Sequence, residues 1–179
     1  MQDEVRQTVG SIAIAWNKAE AAVAGMAALY LDVDPLTFDL LIKPLRAQDR
    51  EKLLRAVIAA KEYDEVNKDE ISSALKRTQT CRENRSKIVH GLGDLDGHLT
   101  EASVKTLQRV LGEIEAECAF LSELHQRVAR VLLDRNAREV PNAEDEFGDD
   151  ELRPVAKFVP PERPQKPKQM HFDGLEIAG

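Results

Sequence analysis

Aromatic residues make up only 4% of this 179-residue chain, which disfavours a protein that grips single strands by stacking successive bases on aromatic platforms. Cysteine is nearly absent too. Cys81 and Cys118 sit in helix-like segments without close pairs or partnering histidines, so neither a disulfide framework nor a zinc site is implied, and both read as reduced, small core residues. No apolar run approaches bilayer length: the stretch from Ala21 to Leu31 is too short to span one. The start, Met1-Gln2-Asp3-Glu4, is acidic where a signal peptide would be basic. A cytoplasmic protein without membrane association is expected. Period-two alternation of β-branched and aromatic residues is nowhere sustained, which leaves no strand pattern.

A positive charge excess is also missing. The formal net charge is -7, which argues against broad, sequence-independent coating of nucleic acid, since that affinity comes from basic side chains neutralising phosphates. The acidity is uneven. Residues 1–138 carry 20 Lys and Arg against 22 Asp and Glu, a net -2, and residues 139–179 carry 5 against 10, a net -5. Positive density collects between 76 and 87, where Lys76, Arg77, Arg82, Arg85 and Lys87 face only Glu83. A solvated helix face with basic residues near its C-terminus is the plain explanation.

The apolar share of 42%, the charged share of 32% and the mean hydropathy of -0.40 indicate one soluble domain with a real core. Its pattern is helical. Ile12, Trp16, Ala19, Val23, Met26 and Tyr30 recur at three and four and predict a first helix ending near Asp32 to Pro35. A short helix from Leu36 is broken by Pro44 ahead of a longer one containing Leu53, Leu54, Val57 and Ile58. A third helix from about Asn67 to Val89 stops at Gly91-Leu92-Gly93, where glycine accepts the left-handed cap. The fourth begins after Thr100-Glu101, with Val104, Leu107, Leu111, Ile114, Cys118, Leu121, His125, Val128 and Leu132 forming a seam. Trp16 reads as a core residue of its stripe, and His125 as a hydrogen-bonded core or interface histidine.

From Glu139 the composition changes. An acidic stretch from Glu144 to Glu151 precedes Pro154, Pro160, Pro161, Pro164 and Pro167 interleaved with Lys and Arg. Such a segment buries too little apolar surface to offset its ordering. The expected organisation is a bundle over 1–138 and, over 139–179, a mobile or extended tail that serves as a spacer, docks on the bundle or binds a protein partner. Phe158, Phe172, Leu175 and Ile177 are its anchors. Asp94-Leu95-Asp96-Gly97 lacks the later ligands of a calcium loop and reads as a turn, with His98 in it.

The chemistry-bearing run is Cys81-Arg82-Glu83-Asn84-Arg85-Ser86-Lys87-Ile88-Val89-His90-Gly91. Arginine supplies a permanent planar cation suited to phosphate, and histidine is the side chain whose ordinary pKa lets it trade protons near neutrality. On an ideal helix Arg82, Ser86 and His90 share a line. Arg85 and His90 are five apart, about 140° around the axis. One phosphate meets both only if the helix end bends at Gly91 or a second copy completes the site. The alternative for His90 is a histidine capping its helix's last carbonyls.

Arg85, four residues, then His90-Gly91, preceded by aliphatic residues, resembles the signature of the HEPN domains, as does Ile14-Ala15-Trp16 with Glu20 one turn on. The resemblance covers about residues 8 to 135. It implies an all-α, up-and-down bundle of four or five helices that forms a homodimer, and a metal-independent endoribonuclease using no cofactor. The position after the motif arginine, often an amide in that family, is Ser86 here, with Asn84 just before. The resemblance makes Arg85 and His90 the catalytic pair. His90 would move the proton of the 2'-hydroxyl or of the leaving 5'-oxygen, and two copies would divide those roles. Arg85 would stabilise the phosphorane-like charge. Asn84 and Ser86 would orient the phosphate, Arg82 would hold a flanking one, and Glu20 would position a cation. Defence, toxin activity or RNA turnover would be the setting. Two other classes remain open: a silent module binding nucleotide, RNA or protein through the same cleft, and a helical assembly protein.

Overall fold

A computed structural model of the protein describes residues 2–92, 100–139 and 157–170. Among these, all regular structure is helical: α1 (Gln2–Leu31), α2 (Pro35–Thr37), a π-helical turn (Phe38–Ile42), α3 (Ala47–Lys61), α4 (Glu65–Leu92) and α5 (Glu101–Glu139). The protein is an all-α helical bundle, as its periodicity predicts. No helix of the described residues is long and apolar enough to cross a membrane. The Asp94–Gly97 turn, His98, the acidic run, His171, Phe172, Leu175 and Ile177 lie outside the described residues.

The stripe on α1 is buried as its spacing requires: Ile12, Trp16, Ala19, Val23, Met26 and Tyr30 are all in the core. The helix ends with paired backbone bonds. Val33 N–H donates to Ala28 O at 3.3 Å and Asp32 N–H to Leu29 O at 3.2 Å, the two bonds of a Schellman cap. That cap needs a left-handed residue, and Asp32 supplies it with φ 54°. A side chain pays for that conformation where glycine does not. Asp32→Gly is therefore expected to stabilise the protein by about 1 kcal/mol, read as a higher midpoint in urea denaturation; an unchanged or lower midpoint would show that the aspartate makes a compensating contact.

Asp34 then caps α2. Its carboxylate accepts from Leu36 N–H at 2.9 Å and Thr37 N–H at 3.1 Å, and Pro35 fills the first helical position, where no N–H is needed. The turn widens over Phe38–Ile42, closed by Lys43 N–H to Phe38 O at 3.0 Å. Pro44 follows, and helix resumes only at Ala47, so the expected break at Pro44 is present. α4 is capped by Asp64, whose carboxylate accepts from Val66 N–H at 2.9 Å. It continues through His90 and Gly91 to Leu92, longer at both ends than its apolar pattern predicts.

α5 corrects the predicted seam. Val104, Leu107, Ile114, Cys118, Leu121 and Val128 are buried as expected, but so is a further line, Val110, Glu117, Leu124 and Val131, whereas Leu111, His125 and Leu132 are half-exposed. Glu117 interrupts the deeper line with a charge, so apolar spacing alone points to the wetter flank.

The chain divides into two compact units, with boundaries inside α1, α4 and α5: one comprises Met1–Ala22, Ile71–Ser122 and Glu162–Gly179, the other Val23–Glu70 and Glu123–Pro161. In the first, α1, α4 and α5 contribute Ile12, Ile71, Leu75, Ile88, Leu107 and Leu121 to a dry core, and Met170 from the C-terminal segment joins it. In the second, Met26, Leu54, Ile58, Leu124 and Val128 form the core. Each fully buried aliphatic side chain contributes roughly 1.5–3 kcal/mol.

Candidate functional site

All the motif residues lie on α4, within the first unit. Because the helix is continuous through His90, the line Arg82, Ser86, His90 is preserved and Arg85 sits about 140° from His90. His90 is exposed in the last turn, and Arg82, Arg85 and Ser86 are half-buried. Arg85 has an unusual environment: its Nε is buried and has no hydrogen-bond partner. Guanidinium N–H groups are strong donors, so a buried one without an acceptor carries a desolvation cost. Glu20, expected to steady a cation, accepts the indole N–H of Trp16.

Asn84 is 1% exposed and has a different job from the one its motif position suggests. Its Nδ2 donates to Lys168 O at 2.8 Å and its Oδ1 accepts from Met170 N–H at 2.8 Å. The carboxamide thus pairs with the main chain of the C-terminal segment as a strand edge would. Lys87 Nζ donates to Met170 O at 2.7 Å. One helical face holds peptide, and Arg85 lies about 100° around the helix from Asn84.

Further up α4, Arg77 makes a bidentate pair with Glu117 of α5, through Nε at 3.1 Å and through its second nitrogen, and lies 5.8 Å over the Phe120 ring. The same guanidinium donates to Pro164 O at 2.6 Å and Gln165 O at 3.1 Å. Burial raises the Glu117 carboxyl above its ordinary range, and the hydrogen bonds from Arg77 oppose that rise. The cysteines are inert by comparison. Burial pushes Cys81 up to about 12 and Cys118 up to about 11, and Cys118 Sγ–H donates to Ala15 O at 2.8 Å.

The second unit contains a buried polar cluster that sequence patterning does not reveal. Tyr30 O–H donates to Glu62, Asn67 Nδ2 donates to Tyr30 Oη at 2.9 Å, and Arg135 donates to Glu62 Oε1 at 2.9 Å. Glu62 also accepts from Asp64 N–H at 2.8 Å. Burial alone would raise the Glu62 carboxyl; the bonds from Tyr30, Asp64 N–H and Arg135 outweigh it and hold the group below its ordinary value. Burial, then the bond to Glu62, pushes the Tyr30 phenol well up. This cluster ties α1, the α3–α4 junction and α5 together.

His125 in the same unit is half-exposed yet packs over Gly25, and partial burial lowers its pKa. A Cβ on Gly25 would stand 2.8 Å from His125 Nε2. Helix propensity favours alanine over glycine by about 1 kcal/mol, yet overpacking costs about 1–3 kcal/mol. Gly25→Ala should therefore lower the urea midpoint, and the same change in a His125→Ala background should raise it; equal effects in both backgrounds would show that the ring moves away freely.

Among the described residues no group of His, Cys, Asp or Glu could hold a metal ion. The structure thus brings Arg82, Ser86 and His90 onto one line, leaves Arg85 about 60° from Arg82 and about 140° from His90, and commits Asn84 to the tail. Comparisons with protein-family models, curated proteins and solved structures gave no match for this chain.

Proposed function

We propose that the protein is a HEPN-type endoribonuclease acting as a homodimer, with Arg85 of one copy and His90 of the other meeting one phosphodiester. The observation that carries this reading is the motif itself on one continuous helix, with His90 exposed and Arg85 half-buried. The unbent helix favours the two-copy arrangement, because Arg85 and His90 of one copy point about 140° apart. His90 takes the proton of the 2'-hydroxyl, the 2'-oxygen bonds to phosphorus, and the bond to the 5'-oxygen breaks. That oxygen takes the proton from His90 and leaves as a hydroxyl, and a 2',3'-cyclic phosphate remains. Arg85 offers directed N–H bonds to the equatorial oxygens as their charge grows.

A second reading, a silent module that binds RNA, nucleotide or protein, is favoured by the engagement of Asn84 with the tail, which leaves Ser86 as the polar neighbour of Arg85. Incubating the full-length protein with mixed structured and single-stranded RNA in EDTA separates the two. The nuclease reading expects fragments with 2',3'-cyclic phosphate ends; intact RNA throughout would reject it in favour of the binding module.

A further inference from the structure

The segment Lys157–Met170 has neither helix nor strand, yet its burial is periodic. Phe158, Pro161, Pro167 and Met170 are buried and Pro164 is half-buried, while the residues between are exposed. A period of three distinguishes polyproline II from a strand, whose side chains alternate at two. Polyproline II makes no internal hydrogen bonds, so its carbonyls need outside donors. In the first unit they have them. Pro164 O and Gln165 O accept from Arg77, Lys168 O from Asn84, and Met170 O from Lys87. The contacts advance along α4 in the same order as along the segment, so the two run parallel.

The receiving face is built from the helices themselves. Arg77 is held by Glu117 and Phe120, which belong to α5, and Asn84 is buried within α4. Acidic groups line the rim: Glu113 accepts from Lys168 N–H at 3.2 Å, and Glu83 accepts from Gln169 Nε2 at 3.3 Å. The segment it holds carries Arg163, Lys166 and Lys168. We infer that the α4–α5 face of the first unit is a recognition groove for basic polyproline-II segments with an apolar residue at every third position, that Glu162–Met170 is its tethered ligand, and that the groove takes a like segment in trans when the tail leaves. This surface is separate from the Arg85 chemistry and stands whether or not the protein cleaves RNA.

The test uses the full-length chain carrying Pro167→Glu and Met170→Asp, with a fluorescein-labelled peptide of residues 157–170 read by anisotropy. The double variant should keep its helical circular dichroism and bind the peptide at least about 10-fold more tightly than wild type, whose own tail competes at high effective concentration. Adding Asn84→Ala should abolish binding, as should scrambling the peptide so that its prolines leave the three-residue spacing. Equal binding of the scrambled peptide, or unfolding of the double variant, would overturn the inference. Amide exchange of the wild type decides independently of any variant: Lys168 and Met170 should exchange faster than the α4 and α5 core amides, showing that the segment leaves while the helices stay folded. Coincident exchange would make the segment part of the core and not a ligand.

Discussion

His90→Ala is expected to lower RNA cleavage by about 10²–10⁴-fold, the usual contribution of a positioned acid or base, while leaving the melting temperature unchanged because the side chain is exposed. Arg85→Ala should cost about 10²–10³-fold through lost stabilisation of the phosphorane-like charge. Its effect on folding should be small, since the buried Nε has no partner to lose. Arg85→Lys should not restore the rate, because an ammonium lacks the planar fork that spans two phosphate oxygens. The double variant should be little slower than the worse single one, as groups acting in one step are not additive. Initial rates alongside thermal melts check these outcomes. A loss of cleavage that tracks a loss of folding would assign both residues to structure.

Glu62→Ala carries the largest stability effect, a loss of about 3–5 kcal/mol, the usual result of breaking one side of a buried ion pair. Arg135, Tyr30 and Asn67 all lose their shared partner. Glu62→Gln keeps the shape and removes the charge, so it should cost less, about 1–3 kcal/mol. The pH dependence separates charge from shape. The folded pKa of Glu62 lies below its ordinary value of 4.5. Its stabilisation is therefore fully present above that value and lost as pH falls through the lower folded value. The urea midpoints of wild type and Glu62→Gln should accordingly converge in acid and diverge toward neutrality. A gap that stays constant would show that the lost hydrogen-bond geometry, and not the charge, sets the cost.

The all-helical character, the α1 stripe and the break at Pro44 were legible because each rests on local chemistry: spacing of apolar groups and a missing N–H. The deeper flank of α5 was not, since Glu117 reads as a solvent position until Arg77 on α4 is known to meet it. The polar cluster of Tyr30, Glu62, Asn67 and Arg135 was hidden for the same reason, its members being brought together only by the fold. The docked segment had a readable sign in Pro161, Pro164 and Pro167, a three-residue period that composition alone averages away. Asn84, grouped with the motif by adjacency, points about 100° around the helix from Arg85 and so meets the tail.

The two-copy site is tested most directly by mixing. His90→Ala and Arg85→Ala proteins, each inactive alone, are combined, allowed to exchange subunits, and assayed on RNA in EDTA. With Arg85 and His90 of a site drawn from different copies of a two-fold dimer, half of the dimers are mixed and each has one intact site. About a quarter of the wild-type activity should return. A mixture as inactive as its components, beside an active wild type, would contradict the shared site.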